Sequence, residues 1–248
     1  MPGGGFYVAI PARAASSRLP GKALADLGGK PMLQWVYEKA CAAGARAVII
    51  ATDDEAIAAA ARRFGATARL TSTTHVSGTD RIGELAAMEG WADEEIVVNA
   101  QGDEPLIPPL NIVQVAQLLA THPQAALATL STPVTSQQEF LDPNAVKVVT
   151  DGGGRALYFS RAPIPVQRDG VAGGFAGARR HVGLYAYRVA ALRRLTALAP
   201  SPLERAEKLE QLRALEHGLI IQVAEACAPP GPDVNTAEDL RRVAALIG

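Results

Sequence analysis

The sequence predicts an α/β fold: a mostly parallel sheet with helices on both faces and a smaller antiparallel lobe. Three observations carry the prediction. Short apolar runs alternate with segments of helical periodicity, the pattern of βαβ units. The run Ala47 to Thr52 is continuous in its apolarity, as a strand covered on both faces should be, and Ile96 to Asn99 reads as a central strand. From about 133 to 187 the strands look antiparallel, with Asp151-Gly152-Gly153-Gly154 turning one into the next as a hairpin rather than a helical crossover.

Size and composition narrow the class. A chain of 248 residues fits one domain, 1–248, with the smaller lobe inside it. It can bury most of the surface its unfolded form exposes, so no disulfide staple is needed. Cys41 and Cys227 fit a reducing compartment, stand in no metal-ligand spacing and read as small core residues. No apolar run reaches the roughly 18 residues of a membrane span. Met1 to Gly5 has neither a basic start nor an apolar centre and reads as a frayed end. The overall charge of −1 argues against a nucleic-acid surface, and the chain is expected to be soluble and cytoplasmic, without membrane or nucleic-acid partners.

The first element is a strand, Phe6 to Ile10, expected to stop at Pro11. After it, Arg13, Arg18, Lys22 and Lys30 face a single acid, Asp26, in a run of Ala, Ser, Pro and Gly. A strand end opening into a small-residue, cationic loop suits phosphate, because backbone N–H groups can approach closely while Arg and Lys supply charge. It is not a P-loop, since Gly21-Lys22 is followed by Ala23, and no G-x-G-x-x-G follows the strand. A helix then begins at Pro31, with Met32, Leu33, Val36, Tyr37 and Ala40 on one face and Gly44 as its stop. The next, Asp53 to Phe64, is acidic first and basic last, as the helix dipole favours.

His75-Val76-Ser77-Gly78-Thr79-Asp80-Arg81 contains a capping pattern, Ser77 with Asp80, before a helix to about Glu89. Such an entry also offers N–H groups and hydroxyls to a ligand. The strand Ile96 to Asn99 ends in Gln101-Gly102-Asp103-Glu104-Pro105. Two adjacent carboxylates cannot face one point along an extended chain. Asp103, after a permissive glycine, is the better candidate for holding Mg²⁺.

Ile107 to Ala120 reads as a helix, Ala126 to Val134 and Ala145 to Thr150 as strands, and Arg155 to Ser160 as the second arm of the hairpin. Arg161 leaves that arm carrying a planar two-pronged donor suited to a carboxylate. Asp169 to Arg180 is glycine-rich and expected to be a mobile loop. His181 to Tyr187 alternates as a strand should. Ser201-Pro202-Leu203-Glu204 is a capping box opening a helix that presents Leu209, Leu212 and Leu215 to the core, with Glu204 pairing Lys208. In that helix Glu210 and Gln211 read as exposed face. A last strand, Leu219 to Glu225, precedes a helix capped by Thr236 with Asp239 at its third position.

These strings together carry a resemblance. PARAASSRLPGK (11–22), HVSGTDR (75–81), VNAQGDEP (98–105), NAVKVV (144–149), ALYFSRAPIP (156–165), HVGLYAYR (181–188), SPLERAEKLEQLR (201–213) and VNTAEDL (234–240) are similar, in order, to motifs of the sugar-acid cytidylyltransferases. The resemblance runs from about Phe6 to Ile247. It implies a Rossmann-like nucleotidyltransferase sheet, CTP as nucleotide, and 3-deoxy-manno-octulosonate (Kdo) as the acid whose anomeric hydroxyl is activated for lipopolysaccharide assembly. Arg13, Arg18, Lys22, Ser77 and Arg81 would hold the nucleotide, with Arg13, Lys22 and Asp103 acting in the reaction. Gln101, Arg161, His181 and Glu210 would hold the sugar acid. The family's metal ligands match Asp103 and Asn235, where the family commonly has Asp and this chain has Asn. The 133–187 lobe would form much of a homodimer contact. The alternatives are a related acid, such as sialic acid or an amino-substituted Kdo, and a non-catalytic nucleotide-binding module. An NAD-dependent oxidoreductase lacks its glycine turn and its acid at the right distance.

Overall fold

Strand β1 (Tyr7–Ala12) lies in the middle of the sheet and runs on through Pro11 instead of stopping there. The proline pairs in register with Ala51 on one side, while pairing on the other side ends at Ala9 with Asn99. Two residues beyond Ala9, Pro11 faces that second flank, where the neighbouring strand has already turned away. Its missing N–H therefore costs no ladder bond. The structure is a computed structural model and describes residues 5–14, 18–168 and 174–247; Asp169 to Gly173 of the expected glycine-rich loop lie outside them.

A two-stranded hairpin, β2 (Asp26–Leu27) with β3 (Lys30–Pro31), leads into α1 (Met32–Ala42), which buries Met32, Leu33, Val36 and Ala40 and ends at Gly44, φ 70°. Then come β4 (Ala47–Thr52), α2 (Glu55–Arg63) and β5 (Thr67–Leu70). Asp54 caps α2, its carboxylate accepting from Ile57 N at 2.9 Å. Next are α3 (Gly78–Met88), β6 (Ile96–Asn99), α4 (Pro109–Thr121) and β7 (Leu127–Pro133). A short α5 (Gln137–Leu141) was not expected; its signal was Ser136, whose side chain accepts from Glu139 N. The hairpin is as expected, β8 (Lys147–Thr150) with β9 (Ala156–Ser160). The rest comprises β10 (Arg179–Arg188), α6 (Val189–Thr196), α7 (Pro202–Glu207), α8 (Gln211–Glu216), β11 (Ile221–Glu225) and α9 (Ala237–Ile247).

The strand order is β11-β7-β10-β6-β1-β4-β5, with β8 paired to β10 and β9 to β8. Along that path every neighbour is parallel except β10, which runs against both β6 and β7. β10 thus belongs to the main sheet, and only the β8–β9 hairpin stands off it. Alternation along β1 divides the core: Val8 and Ile10 pack with α1, α2 and α4, and Ala9 packs with α3, α6 and α8 on the opposite face. Both cysteines are exposed, correcting the core assignment. Cys41 is next to buried Ala40 but on the outer side of α1, and Cys227 sits in the loop after β11.

The helix expected from Ser201 through Leu215 is two. The capping box of Ser201 and Glu204 forms as expected, but Lys208 takes φ 55°, a left-handed conformation that ends α7, and α8 restarts at Gln211. The break frees Leu209 to bury while turning Glu210 and Gln211 elsewhere. It also cancels the Glu204–Lys208 pair: Glu204 binds Arg213 instead, in two hydrogen bonds of 2.7 and 2.5 Å with both side chains about nine-tenths buried. Burial alone would raise the Glu204 pKa, but the Arg213 hydrogen bonds, the Ser201 N–H and the positive charge outweigh it and hold the carboxyl below its ordinary range.

Removing one partner of such a pair leaves a buried charge, so Arg213→Ala should lower unfolding free energy by roughly 3–5 kcal/mol. Because the Glu204 pKa is depressed in the folded state, its contribution is present above the ordinary carboxylate range and lost as pH falls through the folded value. Urea melts at neutral pH and in acid check both: the deficit of the variant should shrink in acid.

Candidate active site

Because β1, β4 and β6 are parallel, their carboxyl ends open on one edge of the sheet, where ligands of such sheets sit. β10 runs the other way, so its beginning, with His181, arrives at the same edge. A cleft of about 500 Å³ lies there, closed by the N-termini of α3 and α8 and by the segment around Asn235. The described residues give the cleft three regions.

The middle region joins three distant segments. Lys22 Nζ is 2.6 Å from Asp103 Oδ2 and 3.2 Å from Asn235 Oδ1, and an Arg18 guanidinium nitrogen donates to the same Asn235 oxygen at 3.1 Å. The approach of the 101–105 loop to β1 requires Gly102, since a Cβ there would lie 2.9 Å from Pro11 O. Arg13 is exposed on the cleft wall. Glu104 turns away, its Oε1 beneath Gly183. Burial first, then the charges of Asp233 and Asp103, push the Glu104 carboxyl well above its usual pKa, and burial with Asp103 raises that of Asp233. Asp103 is the carboxylate that meets the cleft. The oxygens of Asp103 and Asn235 face one cationic point, here the Lys22 ammonium, and form a hard donor pair suited to a divalent cation. Among the described residues no three His, Cys, Asp or Glu side chains are grouped to hold a metal alone, so a metal there needs ligands from phosphate or water.

The β10 region is polar, and largely uncharged side chains form it. His181 Nε2 is 3.0 Å from Thr129 Oγ1, which also lies 2.9 Å from Leu184 O and 3.0 Å from Val182 O. The single threonine proton goes to a carbonyl, so His181 Nε2–H donates to the hydroxyl and Nδ1 is the acceptor. Burial, and then the Arg180 charge, lower the His181 pKa to about 3. Glu210 accepts from Thr79 Oγ1 at 2.8 Å, and desolvation of its carboxyl in the cleft raises its pKa. Gln211, expected on an exposed face, is buried, because the helix break turns it inward. Among the described residues three buried side-chain polar atoms have no partner: Asn99 Oδ1, Tyr185 OH and Gln211 Nε2. All three belong to residues lining this cleft, as Gln101 does. A polar ligand in the cleft would give these atoms hydrogen-bond partners.

At the β4 side, Arg81 is buried and binds Asp53 at 2.7 Å and Thr71 Oγ1 at 2.5 Å. Asp53 also accepts from Ala14 N at 3.1 Å, so this pair fastens the end of β1 to α3. The Ser77 hydroxyl is engaged with Asp80, accepting from its N–H and donating to its carboxylate, while the residue faces the cleft. Arg161 is not among the cleft residues. Its guanidinium donates to the carbonyls of Glu207 (2.6 Å) and Pro143 (2.8 Å), and its N–H to the Glu207 carboxylate, which also binds the Ser160 hydroxyl. It clamps β9 to the end of α7, one residue before the break that presents Glu210 and Gln211.

Of the sequence candidates, then, Arg13, Arg18, Lys22, Ser77, Arg81, Gln101, Asp103, His181, Glu210 and Asn235 line one cleft, and Arg161 stands behind it. Sequence reasoning missed Asn99, Thr79, Tyr185 and Gln211. Asn99 carried a signal, a polar residue closing an apolar strand; Gln211 carried none, since its burial depends on the left-handed Lys208.

A family model described as Cytidylyltransferase matches residues 7–222. The chain is 54% identical over 246 residues to the 3-deoxy-manno-octulosonate cytidylyltransferase of Thioalkalivibrio sulfidiphilus, covering 98% of each chain. It is 54% identical over 245 residues to the protein of the same name from Halorhodospira halophila, covering 96% of this chain and 95% of that one. Among solved structures, CMP:2-keto-3-deoxy-manno-octonic acid synthetase complexed with CTP superposes with a TM-score of 0.89 at 42% identity, covering 98% of both chains. A cytidylyltransferase from Leptospira borgpetersenii, 17% identical with a TM-score of 0.60 over 97% of this chain and 85% of that one, shares the fold.

A folded-state pKa of about 3 means that His181 stays neutral wherever the protein is folded and assayed near neutrality. Nitrogen-detected NMR should show its ring as the Nε2–H tautomer with no titration between pH 5 and 8. A ring that protonates near 6.5 would contradict the buried donor–acceptor arrangement.

Proposed function

This chain belongs to the cytidylyltransferase family, and from that membership we infer that it transfers CMP from CTP to Kdo, releasing pyrophosphate and making CMP-Kdo. The observation that carries the inference beyond homology is the cleft itself. A cationic and oxygen-donor cluster for a triphosphate adjoins a wall of unpaired polar atoms for a hydroxyl-rich sugar.

The anomeric hydroxyl oxygen of Kdo attacks the α-phosphorus of CTP while the bond to the β-phosphate oxygen breaks. Such a displacement is governed by positioning and charge rather than by a protein nucleophile. Arg13, Arg18 and Lys22 hold the β- and γ-phosphates and stabilise the departing pyrophosphate. For this, the Lys22 ammonium exchanges its contacts with Asp103 and Asn235 for phosphate oxygens, leaving those two oxygens for a metal. Asp103 and Asn235 would then hold Mg²⁺, which when bound would supply positive charge to the triphosphate and acidify the attacking hydroxyl. His181 Nδ1, Gln101, Glu210, Gln211, Asn99 and Tyr185 orient the sugar hydroxyls and exclude water. Ser77 and the first turn of α3 lie against the nucleotide, with Arg81 acting through Asp53. Arg161 acts by holding the α7–α8 junction. The β8–β9 lobe is proposed as part of a homodimer contact and the cytoplasm as the compartment. No described helix is long and apolar enough to cross a membrane.

Pyrophosphate release on mixing the protein with CTP, Mg²⁺ and Kdo tests the reading; release with sialic acid but not Kdo would overturn it. In the same assay Lys22→Ala should lower turnover at saturating CTP at least tenfold, since one transition-state donor is worth roughly 3 kcal/mol. Unaltered circular dichroism would show that the fold is kept.

The neutral Asn235 should weaken the metal pair, because hard cations favour carboxylates. Asn235→Asp is therefore expected to lower the Mg²⁺ concentration for half-maximal rate, and Asp103→Asn to abolish most activity at any Mg²⁺. A magnesium titration that Asp233→Asn shifts and Asn235→Asp does not would make Asp233 the second ligand.

A further inference from the structure

Of the three segments that meet at Lys22, the one carrying Asn235 comes from farthest along the chain and belongs to no strand or helix. Its place is set by the residues on either side. Val234 N donates to Asp103 O at 2.9 Å. The Val234 side chain is fully buried with Leu27, Met32 and Val243 in a small core separate from those on the two faces of the main sheet. Leu19 of the cationic loop and Leu106, just past Asp103, pack on that same core, so the three segments are seated together. On the other side stands Asp239, which does not line the cleft. Its Oδ2 accepts from Asn235 N at 3.1 Å, from Thr236 N at 2.9 Å and from Thr236 Oγ1 at 2.9 Å. Thr236 Oγ1 in turn accepts from Asp239 N at 3.2 Å.

The bonds between Thr236 and Asp239 are those of a helix start: a capping hydroxyl on the N–H three residues on, and the side chain there reaching back to the N–H of the cap. The bond to Asn235 N lies outside that pattern. One residue before the cap, it closes no helical turn and instead fixes the backbone of a cleft residue. We propose that Asp239 is a positioning residue for the oxygen pair of Asp103 and Asn235. Through the Asn235 N–H, its carboxylate aims the carboxamide oxygen at the point that the Lys22 ammonium holds and that a divalent cation would take. This rests on the metal reading given above. A neutral amide needs such support more than a carboxylate would. Turned half way about its last bond, a carboxylate still offers a cation an oxygen, whereas a carboxamide offers an NH₂ group. Arg18 and Lys22 both hold the oxygen forward in the absence of substrate. Once Lys22 is engaged with phosphate, the direction of the side chain depends on a backbone held from behind. Groups one step behind a metal ligand set its direction in this way, and their removal lowers metal affinity about 10–100-fold.

The test separates positioning from helix capping. Calorimetric titration of the full-length protein with CTP, with and without Mg²⁺ and always without Kdo, gives the gain in CTP affinity that Mg²⁺ provides. Asp239→Ala removes the bond to Asn235 N and the helix start together. Thr236→Ala removes the capping hydroxyl but leaves both backbone N–H bonds to Asp239, and Asp239→Asn keeps an acceptor oxygen in the same place. The Mg²⁺-linked gain should fall about tenfold in Asp239→Ala, while metal-free CTP affinity moves by no more than about twofold. Thr236→Ala should keep the gain even where thermal melts show the two variants equally destabilised, and Asp239→Asn should recover most of it. A gain that falls alike in Thr236→Ala and Asp239→Ala assigns Asp239 to the helix start alone and overturns the proposal. A gain that Asp239→Ala leaves unchanged overturns it too. If the unsubstituted protein shows no gain, or Asp103→Asn leaves the gain intact, the metal pair itself fails and the proposal with it, a result recognised without any Asp239 variant.

Discussion

The reversal of one strand decides what this site can contain. Had β10 been parallel like its neighbours, its beginning would lie at the amino edge of the sheet, and His181 with it. Placed antiparallel between β6 and β7, it starts at the edge where β1, β4 and β6 end. The aromatic and imidazole side chains of one strand thereby join a loop chemistry that parallel strands supply. The irregularity in β10–β7 pairing between Val182 and Tyr185 falls in that stretch and lets Thr129 reach both Val182 O and Leu184 O as well as the His181 ring. One hydroxyl thus sets the tautomer of a histidine whose burial already keeps it uncharged. The imidazole in that wall is neutral as a result, which suits polyol hydroxyls.

The middle of the cleft is held by charges that would rearrange in the proposed reaction. A Lys–carboxylate contact of 2.6 Å at an effective dielectric near 20 represents several kcal/mol of attraction before desolvation and screening are subtracted. It brings a loop from the start of the chain against β6 and the segment before α9, without a substrate. In the proposed reaction a triphosphate would offer Lys22 more negative charge than Asp103 does, and the exchange of partners would free the two oxygens together. The Arg81–Asp53 pair differs. Buried, and tied to Ala14 N and Thr71, it has no reason to exchange, and it fixes the end of β1 against α3.

Much of this was legible in the sequence. Continuous apolar runs gave the parallel strands, and the glycine turn at 151–154 gave the hairpin, because both depend on local pattern. The cationic loop and Asp103 were legible for the same reason: a small-residue loop at a strand end has few other uses. What escaped depended on contacts remote in sequence. Pro11 stays in its strand because a neighbour ends two residues early. Cys41 differs from buried Ala40 only by which way the helix turns. The single helix expected after Ser201 fails because Glu204 finds Arg213 nine residues on, a better partner than Lys208 at four, and the chain bends through a left-handed lysine to reach it. Gln211 and Glu210 enter the site only through that bend.

The bend also explains where Arg161 stands. Its family resemblance suggested a guanidinium on the sugar carboxylate, yet here the fork lies on backbone carbonyls at the end of α7, with Glu207 gripping Ser160 and the Arg161 N–H from the other side. A left-handed non-glycine residue costs on the order of 1–2 kcal/mol, and a helix ended in mid-sequence leaves carbonyls without partners. Arg161 supplies donors for those carbonyls, at Glu207 and more distantly at Lys208. The strained junction is therefore held from two directions: Arg213 with Glu204 beneath it, and Arg161 with Glu207 beside it. Both holdfasts lie outside the cleft, and both determine that Glu210 and Gln211 face into it.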